Sequence, residues 1–233
     1  MLYEICKFIF LFIIYSMVGY ITEVLVCLYD DKILTFQRGY LLGPWIPIFG
    51  CGFTLLSPLA HYETHPEIVF IMGAVLSTIL EYITSVIMEK IFKTRWWDYS
   101  KMKFNLNGRI TLRNSLGFGI VGLLTVYVFR RTNRIMFRYI PKNILILATI
   151  ILFTLFVLDA IISTKVILTV ARTDELLKKK DMTSEIKQRV HKELKENYIF
   201  VDKILNTFPK AFKNVRRVFN AMKRKKKNKV KEV

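Results

Sequence analysis

Three cysteines and three histidines are all that this 233-residue chain holds of the residues that build disulfide frameworks and zinc sites. Cys6, Cys27 and Cys51 lie in or beside apolar segments, with no Cys-x-x-Cys pair and no nearby histidine. They read as small buried hydrophobes, so neither a disulfide framework nor a metal site is expected. A Gly-x-x-x-x-Gly-Lys-Ser/Thr phosphate loop is missing, so any ATP has to be hydrolysed by another chain. His-Glu-x-x-His and Gly-x-Ser-x-Gly are missing as well. No catalytic residue and no cofactor follow from the sequence, and the chain is expected not to be an enzyme. Acids are scarce too, with 18 Asp and Glu against 36 Lys and Arg. The N-terminus shows no basic region or small-residue cleavage site of a signal peptide. Its first apolar segment is long enough to stay as a membrane helix.

What the chain does have is apolar surface. It is 53% hydrophobic and 14% aromatic, with a mean hydropathy of +0.34. Such figures describe a polytopic membrane protein of the cell membrane, all-α in class, rather than a soluble domain. The net charge of +18 is unevenly spread: from Ala171 to Val233, 20 Lys/Arg stand against 8 Asp/Glu. Two unlike pieces are expected, a transmembrane helical bundle over 1–172 and a basic amphipathic helical tail over 173–233.

In chain order, Ile5 to Leu28 reads as a first span, close to the ~20 apolar residues that cross a bilayer. Arg38 opens a second apolar stretch that runs to about Ala60. Ile68 to Phe92, Ile110 to Phe129 and Asn143 to Val170 follow as further spans. Five spans, within a range of four to six, put the two ends of the chain on opposite sides. The excess of Lys and Arg places the tail in the cytoplasm. The loop at 61–67, without Lys or Arg, then lies outside, and the loop at 93–109, with Lys93, Arg95, Lys101, Lys103 and Arg109, lies inside. The connector at 130–142 breaks this pattern. It carries Arg130, Arg131, Arg134, Arg138 and Lys142, yet the count puts it outside. One span is therefore expected to be broken or re-entrant, either the second or 110–129.

The second stretch is the odd one. Between Arg38 and Gly52, four glycines and two prolines fall in fifteen residues. In hydrocarbon each freed backbone group has to find a partner in protein or in a water-filled cavity, and broken helices are where transporters bind solute. Gly43, Pro44 and Pro47 are thus candidates for a cavity wall. A kinked helix packed closely through its glycines is the competing reading, because both residue types are common in membrane helices.

Ionisable groups inside spans cost at least ~2.5 kcal/mol for Asp, Lys or Arg at a helix centre, so they face the bundle interior. Glu23, Glu81, Glu89 and Asp159 are the acids concerned, and Arg38, Arg109 and Arg113 are the nearby bases. Glu81 and Glu89 sit about 80° apart around a helix and share a broad face with Tyr82 and Ser85. A polar cavity binding a cationic solute or a proton is one reading. A set of interhelical ion pairs that fixes the bundle is the other. Asp98 and Asn105 complete the candidate cavity set. Their segment also reads as an aromatic interface anchor at Arg95 to Ser100, followed by an Asn-Gly turn into the next helix.

The tail is helical in pattern from Thr183, a plausible N-cap. Val201, Leu205, Phe208, Phe212, Val215, Phe219 and Met222 recur at alternating spacings of four and three, and Pro209 divides the stripe into two helices. From Lys223 to Lys231, seven residues of nine are basic. Lys223, Arg224, Lys225, Lys226 and Lys227 are expected to bind anionic lipid headgroups, each contributing about 1 kcal/mol. A solvated tail and a partner-binding coiled coil are the alternatives. Nucleic acid is not the expected partner, since aromatic interleaving and a recognisable fold are missing.

Several of these residues also form a pattern. Glu23, Arg38-Gly39-Tyr40-Leu41, Gly43-Pro44-x-x-Pro47-Ile48-Phe49-Gly50, Glu81-Tyr82 and Met88-Glu89-Lys90-x-Phe92 occur in order. Arg95-Trp96-Trp97-Asp98-Tyr99-Ser100 and Phe104-Asn105-Leu106-Asn107-Gly108-Arg109-Ile110 continue it. Together they resemble the bacterial integral-membrane family known as putative ABC-transporter type IV, over about residues 8 to 165. The resemblance implies a membrane component, permease-like, of a transport system, working with a separate ATP-binding-cassette ATPase on a small solute. It assigns no catalytic residues and says nothing of the tail. An intramembrane enzyme or lipid-handling protein using buried carboxylates is a rival expectation, as is a membrane-anchored scaffold acting through its tail.

Overall fold

The computed structural model describes residues 1–31, 39–178, 188, 190, 192, 194–207 and 211–231, with backbone alone at 27, 29–31, 178 and 225–231. The chain divides into two compact units, Met1–Ile87 with Trp97–Ala160, and Met88–Trp96 with Ile161–Val233. Among the described residues, four helices are long and apolar enough to cross a membrane: Leu2–Val26, Pro66–Phe92, Leu112–Tyr139 and Lys142–Leu177.

The first unit begins with α1 (Leu2–Asp31). The glycine-proline stretch is no full helix. Residues 39–46 are not helical; α2 (Pro47–Leu56) is only ten residues long and runs into a 3-10 turn (Ser57–Tyr62). Pro47 sits in the first turn of α2, where its missing N–H costs nothing. α2 runs back along α1: a Cβ on Gly19 would strike Phe49, Gly50 lies against Phe12 and Ser16, and Tyr15 stacks on Phe53. The second span is therefore broken, and it ends beside the start of α1, where Leu56 and Leu59 pack on Val69.

α3 (Pro66–Phe92) shows why this is a membrane body. Val69, Gly73, Ser77, Glu81 and Ser85 are buried, one turn apart, while Ile71, Val75, Ile79, Ile83 and Ile87 point outward and are exposed. Water would favour the reverse arrangement; lipid favours small and polar residues between helices. The facing helix is α4 (Leu112–Leu124), continued by a π-turn (Thr125–Phe129) and α5 (Arg130–Tyr139). At the crossing, a Cβ on Gly73 would stand 3.1 Å from the Gly122 Cα, so both positions need the smallest side chain. α5 ends near the start of α1, with Phe137 beside Phe10. The basic connector thus lies at the same end as residues 57–66, as the five-span count requires.

Between α3 and α4, β1 (Asn105–Leu106) and β2 (Ile110–Thr111) form a two-stranded antiparallel hairpin, with Leu106 opposite Ile110. Its three-residue connection holds the expected Asn-Gly pair, Asn107 at φ 54° and Gly108 at φ 69°, and the Arg109 N–H closes the turn on the Leu106 carbonyl at 3.0 Å. Thr111 then caps α4, its hydroxyl accepting from the Asn114 N–H at 3.2 Å.

The second unit holds the end of α3, the C-terminal part of α6 (Lys142–Lys178), α7 (Tyr198–Thr207) and α8 (Lys213–Lys231). Val201, Leu205, Phe212, Val215 and Phe219 of the apolar stripe are all buried here. Tyr198 packs on Phe219 at 4.8 Å between ring centroids, and Lys223 pairs with Asp202. α7 and α8 stand on either side of Pro209; that residue, Phe208 and the Thr183 cap lie outside the described residues. Asp174 caps α8, accepting from the N–H groups of Asn214 at 2.9 Å and Val215 at 3.1 Å.

One sequence expectation needs correction. Cys6 is buried, but Cys51 is exposed, because Gly50, Phe53 and Leu56 take the inward face of α2 and turn Cys51 away.

Candidate functional site

The break in the second span is held by one carboxylate. Asp159 of α6 accepts from the N–H groups of Leu42 at 2.9 Å and Gly43 at 2.7 Å, and from the indole Nε1 of Trp45 at 2.7 Å. Hydrogen bonds to a charged acceptor are the strong kind, and they satisfy backbone donors that no helix provides for. The next donor, Ile46 N–H, finds the Ser16 carbonyl of α1 at 2.9 Å. Gly43 has to be glycine, since a Cβ there would stand 2.4 Å from the Trp45 ring. Pro44 is exposed at the tip. Asp159 and Gly43, two of the expected cavity residues, thus act on each other.

A second polar group surrounds Glu81. Leu80, its predecessor, meets α2 at Gly52, where a Cβ would lie 3.8 Å from the leucine. Glu81 is buried, and its Oε2 has no hydrogen-bond partner. Asn114 of α4 faces both this carboxyl and the Tyr99 phenol. Burial pushes the Tyr99 hydroxyl above its ordinary pKa; the negative charges of Glu81 and Glu23 add to the rise, and Asn114 opposes it. α3, α4 and the 97–104 segment therefore bring Glu81, Asn114 and Tyr99 together, and Glu23 of α1 adds its charge at Tyr99. Tyr99 and Asn114 were not expected in this role. Tyr99 lies within the motif read as an interface anchor, and Asn114 within the span read over Ile110 to Phe129.

The hairpin positions the neighbouring cation. Arg109 donates through Nη1 to Ser85 Oγ at 2.9 Å, and its guanidinium lies 5.8 Å from the Tyr82 ring centre. Trp97 Nε1 donates to the Arg109 carbonyl at 2.9 Å, and Asn107 Nδ2 to the Tyr82 hydroxyl at 3.0 Å. Asn105 ties the turn, accepting from Gly108 N–H at 2.9 Å and donating to the Met102 carbonyl at 2.7 Å. Asp98 accepts from the N–H of Ser100 at 3.0 Å and is exposed. Asp98 and Asn105 hold the loop that presents Arg109. Glu89 belongs to the second unit, where it pairs with Arg95 at 3.3 Å. Arg38 lies outside the described residues. In the tail, Lys223 and Arg224 are on α8, Arg224 exposed; of Lys225, Lys226 and Lys227 only the helical backbone is described.

A cleft of about 190 Å3 opens where α1, the end of α2, the 3-10 turn and the π-turn meet, lined by Leu11, Phe53, Ser57, Thr125, Arg130 and Asn133 among others. The Arg130 N–H closes the π-turn onto the Thr125 carbonyl. That extra residue in the turn sets the facing of Arg130 and Asn133, and such turns often mark functional positions. In the sequence Arg130 reads only as connector charge. The available signal was Arg130 and Asn133 three residues apart at the end of an apolar run.

The outward isoleucines, the inward polar side chains and the four long apolar helices define a multi-pass helical membrane protein. The family model described as putative ABC-transporter type IV matches residues 10–164, and the chain belongs to that family. No curated protein and no solved structure gives a match.

Proposed function

We propose that this protein is the solute-handling membrane component of a transport system, with ATP hydrolysed by a separate chain and no catalysis of its own. One observation carries the reading: the buried Glu81 carboxylate keeps an oxygen without a partner, inside a membrane span and beside the broken one. A buried ionised oxygen left unpaired is costly, so a proton or a cationic solute group is its natural complement. Asn114 and Tyr99 supply further oxygens near it. The break itself gives this region backbone that is not locked in a long helix, as solute sites in transporters require. Family membership supports the same reading. Isolation of the tagged full chain from its native membrane tests the partner: ATP hydrolysis should co-elute. Elution without ATPase activity, together with unchanged solute distribution in cells lacking the protein, would overturn the proposal.

We also propose that the tail lies in the cytoplasm and meets anionic headgroups through charge alone. Val201, Leu205, Phe212, Val215 and Phe219 of its apolar stripe are buried within its own unit, which leaves Arg217, Arg224 and the basic run of α8 to act. Attachment by charge weakens as salt rises, since exposed charges more than about 8 Å apart are screened at physiological ionic strength. Headgroup protection of α8 in anionic nanodiscs should disappear at high salt; protection that survives 1 M salt, where the screening length is about 3 Å, would contradict it.

A further inference from the structure

The cleft at the π-turn lies apart from the Glu81 group and plays no part in the transport proposal. Among the described residues that line it, Arg130 is the one ionisable side chain, at the head of the basic connector and partly exposed. Its described partners, the Ala60 carbonyl at 3.3 Å and the Glu63 carboxylate, both meet Nη1. A guanidinium carries five N–H donors, so the Nη2 and Nε hydrogens remain for another acceptor. Asn133 adds a donor. Its Oδ1 accepts from the Tyr15 hydroxyl at 3.0 Å, which turns Nδ2 to the donating side. The lining also holds apolar Leu11, Ala60 and Phe53, the phenylalanine ring stacked on Tyr15 at 3.5 Å.

Size narrows the occupant further. At about 190 Å3 the cleft is below the range of drug-sized ligand pockets. We infer that this cleft binds a small carboxylate with a short apolar body, its oxygens on Arg130 and Asn133 and its hydrocarbon against Phe53 and Leu11. Glu63 stays on Nη1, and its negative charge, beside the guanidinium, opposes a second carboxylate on Nη2 and Nε. Tyr127 holds Glu63 in place, donating to its carbonyl at 2.6 Å.

The test uses the purified full chain in nanodiscs of zwitterionic lipid, titrated with hexanoate, hexylamine and hexanol. Hexanoate should bind saturably, and the amine and the alcohol should not. Arg130→Gln should weaken hexanoate at least tenfold, the loss expected for a charge-assisted contact. Asn133→Leu should weaken it several-fold. Glu63→Gln should tighten it several-fold, a gain that misfolding cannot produce. Unchanged affinity in both Arg130→Gln and Glu63→Gln, or equal binding of hexylamine, would overturn the inference. So would saturable binding that appears only when phosphatidylglycerol is in the disc, since the occupant would then be a lipid headgroup.

Discussion

Asp159 and Gly43 are 116 positions apart in the chain, yet the carboxylate accepts the glycine N–H at 2.7 Å. With Leu42 and Trp45 joining on the same side chain, the break in the second span is built around an ion rather than left to solvent.

Replacing Asp159 with Asn should therefore weaken the fold. The amide offers one acceptor oxygen and turns an NH2 toward a donor it cannot satisfy. About 1.5–3 kcal/mol should be lost, the range for hydrogen bonds to a charged group. Thermal unfolding in detergent, monitored by tryptophan fluorescence, measures it. An unchanged midpoint would mean that the break holds without its clamp.

Gly50 and Gly117 should respond in opposite ways. A Cβ at Gly50 would stand 2.4 Å from the Phe12 carbonyl oxygen, whereas one at Gly117 meets nothing within 4 Å. Gly50→Leu should cost about 1–3 kcal/mol or more through forced displacement of α2 from α1. Gly117→Ala should be neutral or stabilising by up to about 1 kcal/mol, because it only removes helix-opposing chain freedom. The same unfolding assay separates them, and equal effects at the two positions would contradict the packing described.

The tail unit offers a local test. Asp174 is buried and caps α8 from α6. Asp174→Ala should remove about 0.5–2 kcal/mol of protection from the first turn of α8. Hydrogen exchange at Asn214 and Val215 reads this directly. Unaltered exchange there would show that the cap contributes nothing.

Much of this architecture is legible in the sequence, and the gaps have physical causes. The four long helices follow from long apolar runs that single ionisable residues do not break, and the broken span from its clustered glycines and prolines. The Asn107-Gly108 turn follows from the backbone conformations those residues tolerate. The partner of Asp159 is not legible, because no local pattern reports a contact across 116 positions. The stripe from Val201 to Phe219 shows that one helix face is buried, but periodicity does not say against what. Val201, Leu205, Phe212, Val215 and Phe219 prove to be the interior of a small unit. Arg130 is counted as connector charge because charge counting is blind to the π-turn that faces it into a cleft.

The central claim is that the Glu81 group in the membrane body handles solute, and a complementation assay tests it most directly. Cells lacking the protein would be compared, for the distribution of small solutes between cell and medium, with cells given the wild type or Glu81→Gln. The account predicts that at least one solute is redistributed in the deletion, that the wild type restores it, and that Glu81→Gln, present in the membrane at the wild-type level, does not. Full restoration by Glu81→Gln would contradict the account.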